Sequence, residues 1–318
     1  RDLIWLSSGT RLMVERAARI VNSITIIMGT IGVQCFLLFA VSHLLCEKQV
    51  KKIRSAYSLY EVHMYPNATY TNKNGYERGI AGKRQVERFL SFHPDFAESV
   101  CEIPLSHPWY LAAILLIWTF TCQVELRIIF ETSFRLFYQT PTVASLQDML
   151  KRDGDEEESD KGEERNDRNV HGMTAPLKFF LAFFVQLPRV VTLLSLLWLG
   201  ARWLTATIGL DDVLLNGLAL EFMVLLQELF YNVCISHRNR AETEHLYIKP
   251  FRDVNQASCC TFFDAQIWGL ISVAFVYLYV FHLQQVLPDY HWDVNDLCSR
   301  FLLEIGTQGH KRHHGALR

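Results

Sequence analysis

The signatures of soluble catalysis are missing from this sequence. No GxSxG elbow presents a nucleophilic serine, no GxxxxGK(S/T) loop cradles a phosphate, and no HExxH helix holds zinc. Cysteine is thin, eight in 318 residues with no CxxC pair, which excludes a zinc ribbon or a dense disulfide framework. There is no basic arm or long Lys/Arg stripe. Lys and Arg (31) nearly balance Asp and Glu (33), for a net charge of −2, so no nucleic-acid partner is expected. The chain opens on Arg1 rather than Met, so it is expected to be a fragment or a processed form, and a missing targeting signal carries no information.

What is present is arrangement. Half of the residues are hydrophobic and 20% are charged, and the two kinds are segregated into apolar runs near bilayer-spanning length and polar stretches between them. The expected fold is therefore all-α, a polytopic integral membrane protein built as a helical bundle of about five transmembrane helices. Residues 1–19 mix Leu3, Ile4, Trp5 and Leu6 with Arg11, Arg16 and Arg19, as an interfacial N-terminal segment would. Residues 20–140 hold spans one and two, with a long polar loop over 47–107. Span one, Ile20 to Cys46, contains no Asp, Glu, Lys or Arg, and span two runs from Pro108 to Val124 and on toward Arg135. Residues 141–176 read as an acidic disordered linker. Spans three to five occupy 177–288: Leu177 to Trp203 with Pro188 at its middle, Ile208 to Ile235, and Ala265 to Leu287. Residues 289–318 form a polar C-terminal tail.

The 47–107 loop has marks of export. Asn67-Ala68-Thr69 is a glycosylation sequon, and Cys46 and Cys101 bracket the segment as a disulfide closing an exported loop would. The cluster Lys48, Lys51, Lys52 and Arg54 points the other way, because basic residues beside a span normally stay cytoplasmic. With the amino terminus inside, Lys plus Arg comes to 16 inside and 14 outside, a margin too small to set orientation. Cys35, Cys122 and Cys234 lie in apolar runs and read as small buried hydrophobes. Cys259 and Cys260, beside the fifth span, sit where acylation would fit.

The fourth span is the unusual one, with Asp211, Asp212, Asn216, Glu221, Gln227, Glu228 and Asn232 among its apolar residues. Ionisable groups inside a span are costly and are usually paired or functional. Glu221 and Glu228 are seven residues apart, so they differ by only about 20° in direction, and Asn232 shares their face. The short connection after Trp203 makes spans three and four antiparallel neighbours and brings Arg189 level with Glu221, so an Arg189–Glu221 ion pair is expected. Arg127, at the exit of span two, is the candidate partner of Glu228 by depth.

The segment NGLALEFMVLLQELFYNV, Asn216 to Val233, carries Asn216, Ala219, Leu220, Phe222, Glu228 and Phe230. In this it resembles a recurring helix of uncharacterised multi-span membrane proteins of dinoflagellate-type protists, with Gln227 where that pattern has an acidic residue. The resemblance implies a membrane protein and brings no activity with it. The expected function is that of a channel- or transporter-like protein for an ion or small solute, or a subunit of one, with Arg189, Glu221, Glu228, Asn232 and Arg127 shaping the pathway. The alternative is a structural or assembly subunit of a larger membrane complex; a membrane-embedded enzyme comes third. His237, Glu242, Glu244 and His245 on a loop, and the tail histidines His310, His313 and His314, match no ligand spacing, so no metal or other cofactor is expected. The expected partners are the lipid bilayer and other membrane subunits or further copies of the chain, in a plasma membrane or endomembrane.

Overall fold

The computed structural model describes residues 2–91, 93–144, 168–170, 172–235, 246–248, 259–299 and 301. It is mostly helical, 78% helix against 4% strand, so helices carry the architecture. In chain order they are α1 Asp2–Ala40, α2 Glu47–Met64, α3 Pro94–Cys101, α4 Pro108–Phe134, α5 Ala175–Leu181, α6 Leu187–Ala206, α7 Leu210–Cys234 and α8 Cys259–Leu278. The strands are β1 Thr69–Thr71, β2 Glu77–Gly79, β3 Arg168–Val170 and β4 Leu246–Ile248, with β1 antiparallel to β2 and β3 parallel to β4. Four helical stretches are long and apolar enough to cross a membrane: Val21–Met64, Pro108–Gln139, Ala175–Ala206 and Gln266–Leu283. A fifth joins them if Leu210–Leu226 and Glu228–Cys234 count as one broken span.

Two sequence expectations change at once. The segment after Cys46 is not loop: a π turn, Val41–Cys46, passes α1 straight into α2, and irregular chain begins only at Tyr65, where Pro66 disfavours further helix. Charges such as Lys48 and Lys51 suggested a loop, but a helix leaving an apolar layer carries them as well as a loop does. The first part of the expected polar tail, residues 289–299, is held in the fold together with 284–288, as described below. Of the cysteines expected to be buried in apolar runs, Cys122 is, whereas Cys35 and Cys234 are exposed.

The described residues fall into two compact units. One draws on Arg1–Leu37, Cys122–Ser195 and Met223–Ala265. In it the segment expected to be interfacial is continuous with the apolar run after it, both within α1. α4 ends through a π turn, Arg135–Gln139, and stops at Thr140 ahead of Pro141. Lys178, buried near the start of α5, donates to the Thr140 carbonyl and to the Thr142 hydroxyl 3.2 Å away, placing a cation on the closing carbonyls of that helix. Pro188 has no N–H and its ring clashes with the preceding turn; a π turn, Ala182–Gln186, stands just before it, between α5 and α6. The expected linker contains a strand, since β3 pairs with β4, while the acidic residues 145–167 lie outside the described residues.

The other unit draws on Leu38–Thr121, Leu196–Phe222 and Gln266–Arg318. Here α4 and α6 meet at Gly200, where a Cβ would lie 2.7 Å from the Trp118 ring, and Trp118 Nε1 donates to the Leu197 carbonyl at 3.3 Å. Trp198 meets Tyr279 edge-on at 5.6 Å, and Gly217 of α7 faces Ile114 and Leu204. Beyond these helices sits a head made of α2, the β1–β2 hairpin, α3 and the strap that follows Leu283. Its core is Ile53, Tyr57, Tyr60, Met64, Val100 and Ile103, each at most 1% exposed. A disulfide, Cys101–Cys298, fastens the strap to the end of α3.

Candidate functional site

α7 begins at Gly209, whose φ of +102° suits glycine, and Asp211 and Asp212 occupy its first turn, where the helix dipole favours carboxylates. The Gly209 N–H donates to the Glu102 carbonyl at 3.3 Å, and Tyr110 donates to the Leu210 carbonyl at 2.6 Å, so this end of α7 is anchored to the head. Asn216 is used locally: its Nδ2 donates to the Thr207 hydroxyl at 2.9 Å and locks the turn between α6 and α7. The buried residues Val213, Leu220 and Val224 repeat at helical spacing. Glu221, Glu228 and Asn232 fall off that stripe and are exposed. Leu220 is buried, while Ala219 and Phe222 are exposed.

The expected Arg189–Glu221 pair is not formed. Arg189 Nη2 instead lies 3.5 Å from Glu125 Oε2 on α4, each side chain 26% exposed. Glu125 is 17 residues past Pro108 and Arg189 is 17 residues before Ala206, so each lies about 25 Å along its helix from the same end. The expected Arg127–Glu228 pairing is not found either; Arg127 Nε binds Glu131 Oε1 at 2.8 Å, one turn along the same helix, on a half-exposed surface. Among the described residues, neither Glu221 nor Glu228 has an ion-pair partner.

The head contains a polar cluster that the sequence reading missed. Glu61 is wholly buried on α2, accepts the Gly79 N–H at 2.7 Å through Oε2, and turns Oε1 toward His291 Nδ1 at 3.6 Å. Asp293 accepts from the Tyr65 hydroxyl at 2.9 Å and faces Arg84 at 3.4 Å. Burial, and then the Asp293 carboxylate, push the Tyr65 phenol above its usual range, and burial does the same to Tyr290. Three arginines grip the strap by its carbonyls. Arg54 donates to Gln285 (2.7 Å) and Val286 (2.8 Å), Arg78 to Pro288 (3.4 Å), and Arg84 to Asp293. The buried Arg78 guanidinium also lies 4.8 Å from the Tyr57 ring centre. Arg54, one of the basic residues that follow the first span, is thus a clamp on the strap.

No family model, curated protein or solved structure matches this chain.

The expected Cys46–Cys101 disulfide is corrected by Cys101–Cys298, with Cys46 free and buried in the π turn. Cys46 ends the π turn, and the 18 residues of α2 follow it, which carry the chain away from it by about 27 Å of helix rise before the head begins to fold back. The sequence carried part of the signal, because Cys298 lies in the polar stretch that follows the fifth span, but Cys259 and Cys260 also lie outside the apolar runs. Asn67 is exposed, at φ +54° in the turn that enters β1. Among the described residues no group of three or more His, Cys, Asp or Glu is placed to hold a metal ion. His237, Glu242, Glu244, His245, His310, His313 and His314 lie outside the described residues, as do the side chains of Cys259 and Cys260.

Proposed function

We propose that this chain is a polytopic membrane protein of five spans that works as a subunit of a larger membrane assembly, with the outward face of α7 as the surface it shares with its neighbours. The carrying observation is Glu221: a carboxylate 11 residues, or about 16 Å, into α7, exposed, with Arg189 already committed to Glu125. A charge at that depth costs at least about 2.5 kcal/mol on insertion scales, so an outward carboxylate needs a partner group or water. The apolar windows of the four unbroken candidate spans are only 11% to 33% buried within the chain, which leaves wide faces for lipid and for other subunits.

A second reading, conduction of an ion or small solute, is favoured by the break in the fifth candidate span, which falls between Leu226 and Glu228. Broken helices in membranes occur where backbone lines a polar cavity or is covered by protein. In that reading Glu221, Glu228 and Asn232 line the path, with Arg127 and Arg189 shaping its charge. One experiment separates the two. In a chain whose free cysteines are replaced by serine, Glu221→Cys and Glu228→Cys are treated with a membrane-impermeant thiol reagent and, separately, with a bifunctional crosslinker. Protection together with crosslinking to another chain supports assembly; labelling without crosslinks supports a pathway and removes the assembly reading.

A further inference from the structure

We propose that Asn67 is an N-glycosylation site, and that the head bearing it faces an oxidising lumen or the cell exterior while the amino terminus and residues 236–258 lie on the opposite, reducing side. This rests on the five-span reading but not on what α7 touches. Three independent observations support it.

The first is the disulfide. Cys101 and Cys298 are 197 residues apart in sequence and are joined in the head, and such bonds persist in oxidising compartments and are rare in the cytosol. The second is accessibility. Asn67-Ala68-Thr69 is the one N-x-S/T sequon in the chain, and it falls in this head. The Asn67 side chain is exposed, and the 18 residues of α2 separate it from Cys46 by about 27 Å of helix rise, clear of the apolar layer. The third is parity. α2 enters the head, and α4 leaves it after His107. α6 returns, and the Gly209 N–H at the start of α7 is bound to Glu102 in the head. α8 returns again, and its continuation is gripped by Arg54 at Gln285 and Val286. Every chain segment that five alternating spans would put on the head's side is joined to the head.

The modification is a group transfer without redox change. The Asn67 side-chain nitrogen bonds to the anomeric carbon of an oligosaccharide. The bond from that carbon to the pyrophosphate oxygen of a lipid-linked donor breaks, the amide gives up one proton, and the lipid pyrophosphate leaves. The Thr69 hydroxyl is the sequon group that this reaction requires.

The test is translation of the full chain with microsomes, read by glycosidase-sensitive mobility and, separately, by resistance to alkaline extraction. The expected result is an integrated chain with a single glycan shift, abolished by Asn67→Gln and by Thr69→Ala and retained by Thr69→Ser. A new sequon placed within residues 236–258 of the Asn67→Gln chain is expected to stay unmodified. An integrated chain that is unmodified at Asn67 but modified at the introduced sequon overturns the inference and leaves the five-span reading standing. A chain that is extracted by alkali overturns both.

Discussion

At the scale of single residues the head is intolerant of added atoms. A Cβ at position 79 would fall 2.3 Å from the Tyr65 ring, inside any real contact, and the same residue supplies the N–H that holds the buried Glu61. Gly79→Ala must therefore move Tyr65, whose hydroxyl is tied to Asp293. We expect a loss on the order of 1–3 kcal/mol, seen as a lower melting temperature of the detergent-purified protein and faster proteolysis of the strap. Glu102 offers the opposite sign. Burial, then the neighbouring carboxylates of Glu98, Asp211 and Asp212, raise its pKa above the ordinary 4.5, partly offset by Lys52. A carboxyl whose folded pKa is raised holds its proton more tightly when folded, so its contribution is most favourable below 4.5 and is lost as pH rises through the folded value. Glu102→Gln should hence raise the melting temperature at neutral pH and change little under acid. A mutant no more stable than wild type at neutral pH would show that this carboxylate carries no penalty.

At the scale of elements, the helices were legible and their ends were not. Long apolar runs announced α1, α4, α6, α7 and α8 because a spanning helix satisfies its own backbone and leaves its composition as the signal. Composition also misled at α2, where a helix goes on past the apolar run, and at the strap, where a polar segment is held by arginines rather than by apolar contacts. Pairing between helices is the hardest to read, since depth along a span selects a level and not a neighbour. Depth alone matches Arg189 with Glu221, whereas its partner is Glu125, at the same level on α4. The corrected pair makes a discriminating prediction. Arg189→Leu leaves Glu125 facing an apolar side chain, and breaking a buried pair costs about 3–5 kcal/mol, less here because both groups are partly exposed. Arg189→Leu with Glu125→Leu should recover folded yield; Arg189→Leu with Glu221→Leu should not. Equal recovery by both doubles would count against the assignment. Gly200→Leu should likewise separate α4 from α6 at Trp118, with a loss of monodisperse protein on size exclusion as the readout.

At the scale of the whole molecule, the question is what the Cys101–Cys298 bond contributes. For a free chain, closing a loop across the 197-residue separation would restrict the unfolded state by on the order of 5 kcal/mol. In the five-span proposal the chain is not free, because spans on both sides of the bond would confine the 47–107 segment and the strap to one side of one membrane. The entropy left to remove is smaller, and the grip of Arg54, Arg78 and Arg84 persists without the bond. Cys298→Ser is therefore expected to destabilise the head by about 2–3 kcal/mol, at the low end of disulfide contributions, and to leave the transmembrane helices intact by circular dichroism. Cys101→Ser should match it, since either change removes the same bond, and both should cancel the effect of a reductant on the melting temperature. Cys46→Ser is the control that decides the connectivity: with Cys46 free and buried in the π turn, its loss should leave the reductant-dependent shift in place. Were that shift abolished by Cys46→Ser and kept by Cys298→Ser, the strap would be held by arginines alone and its fastening to α3 would be wrong.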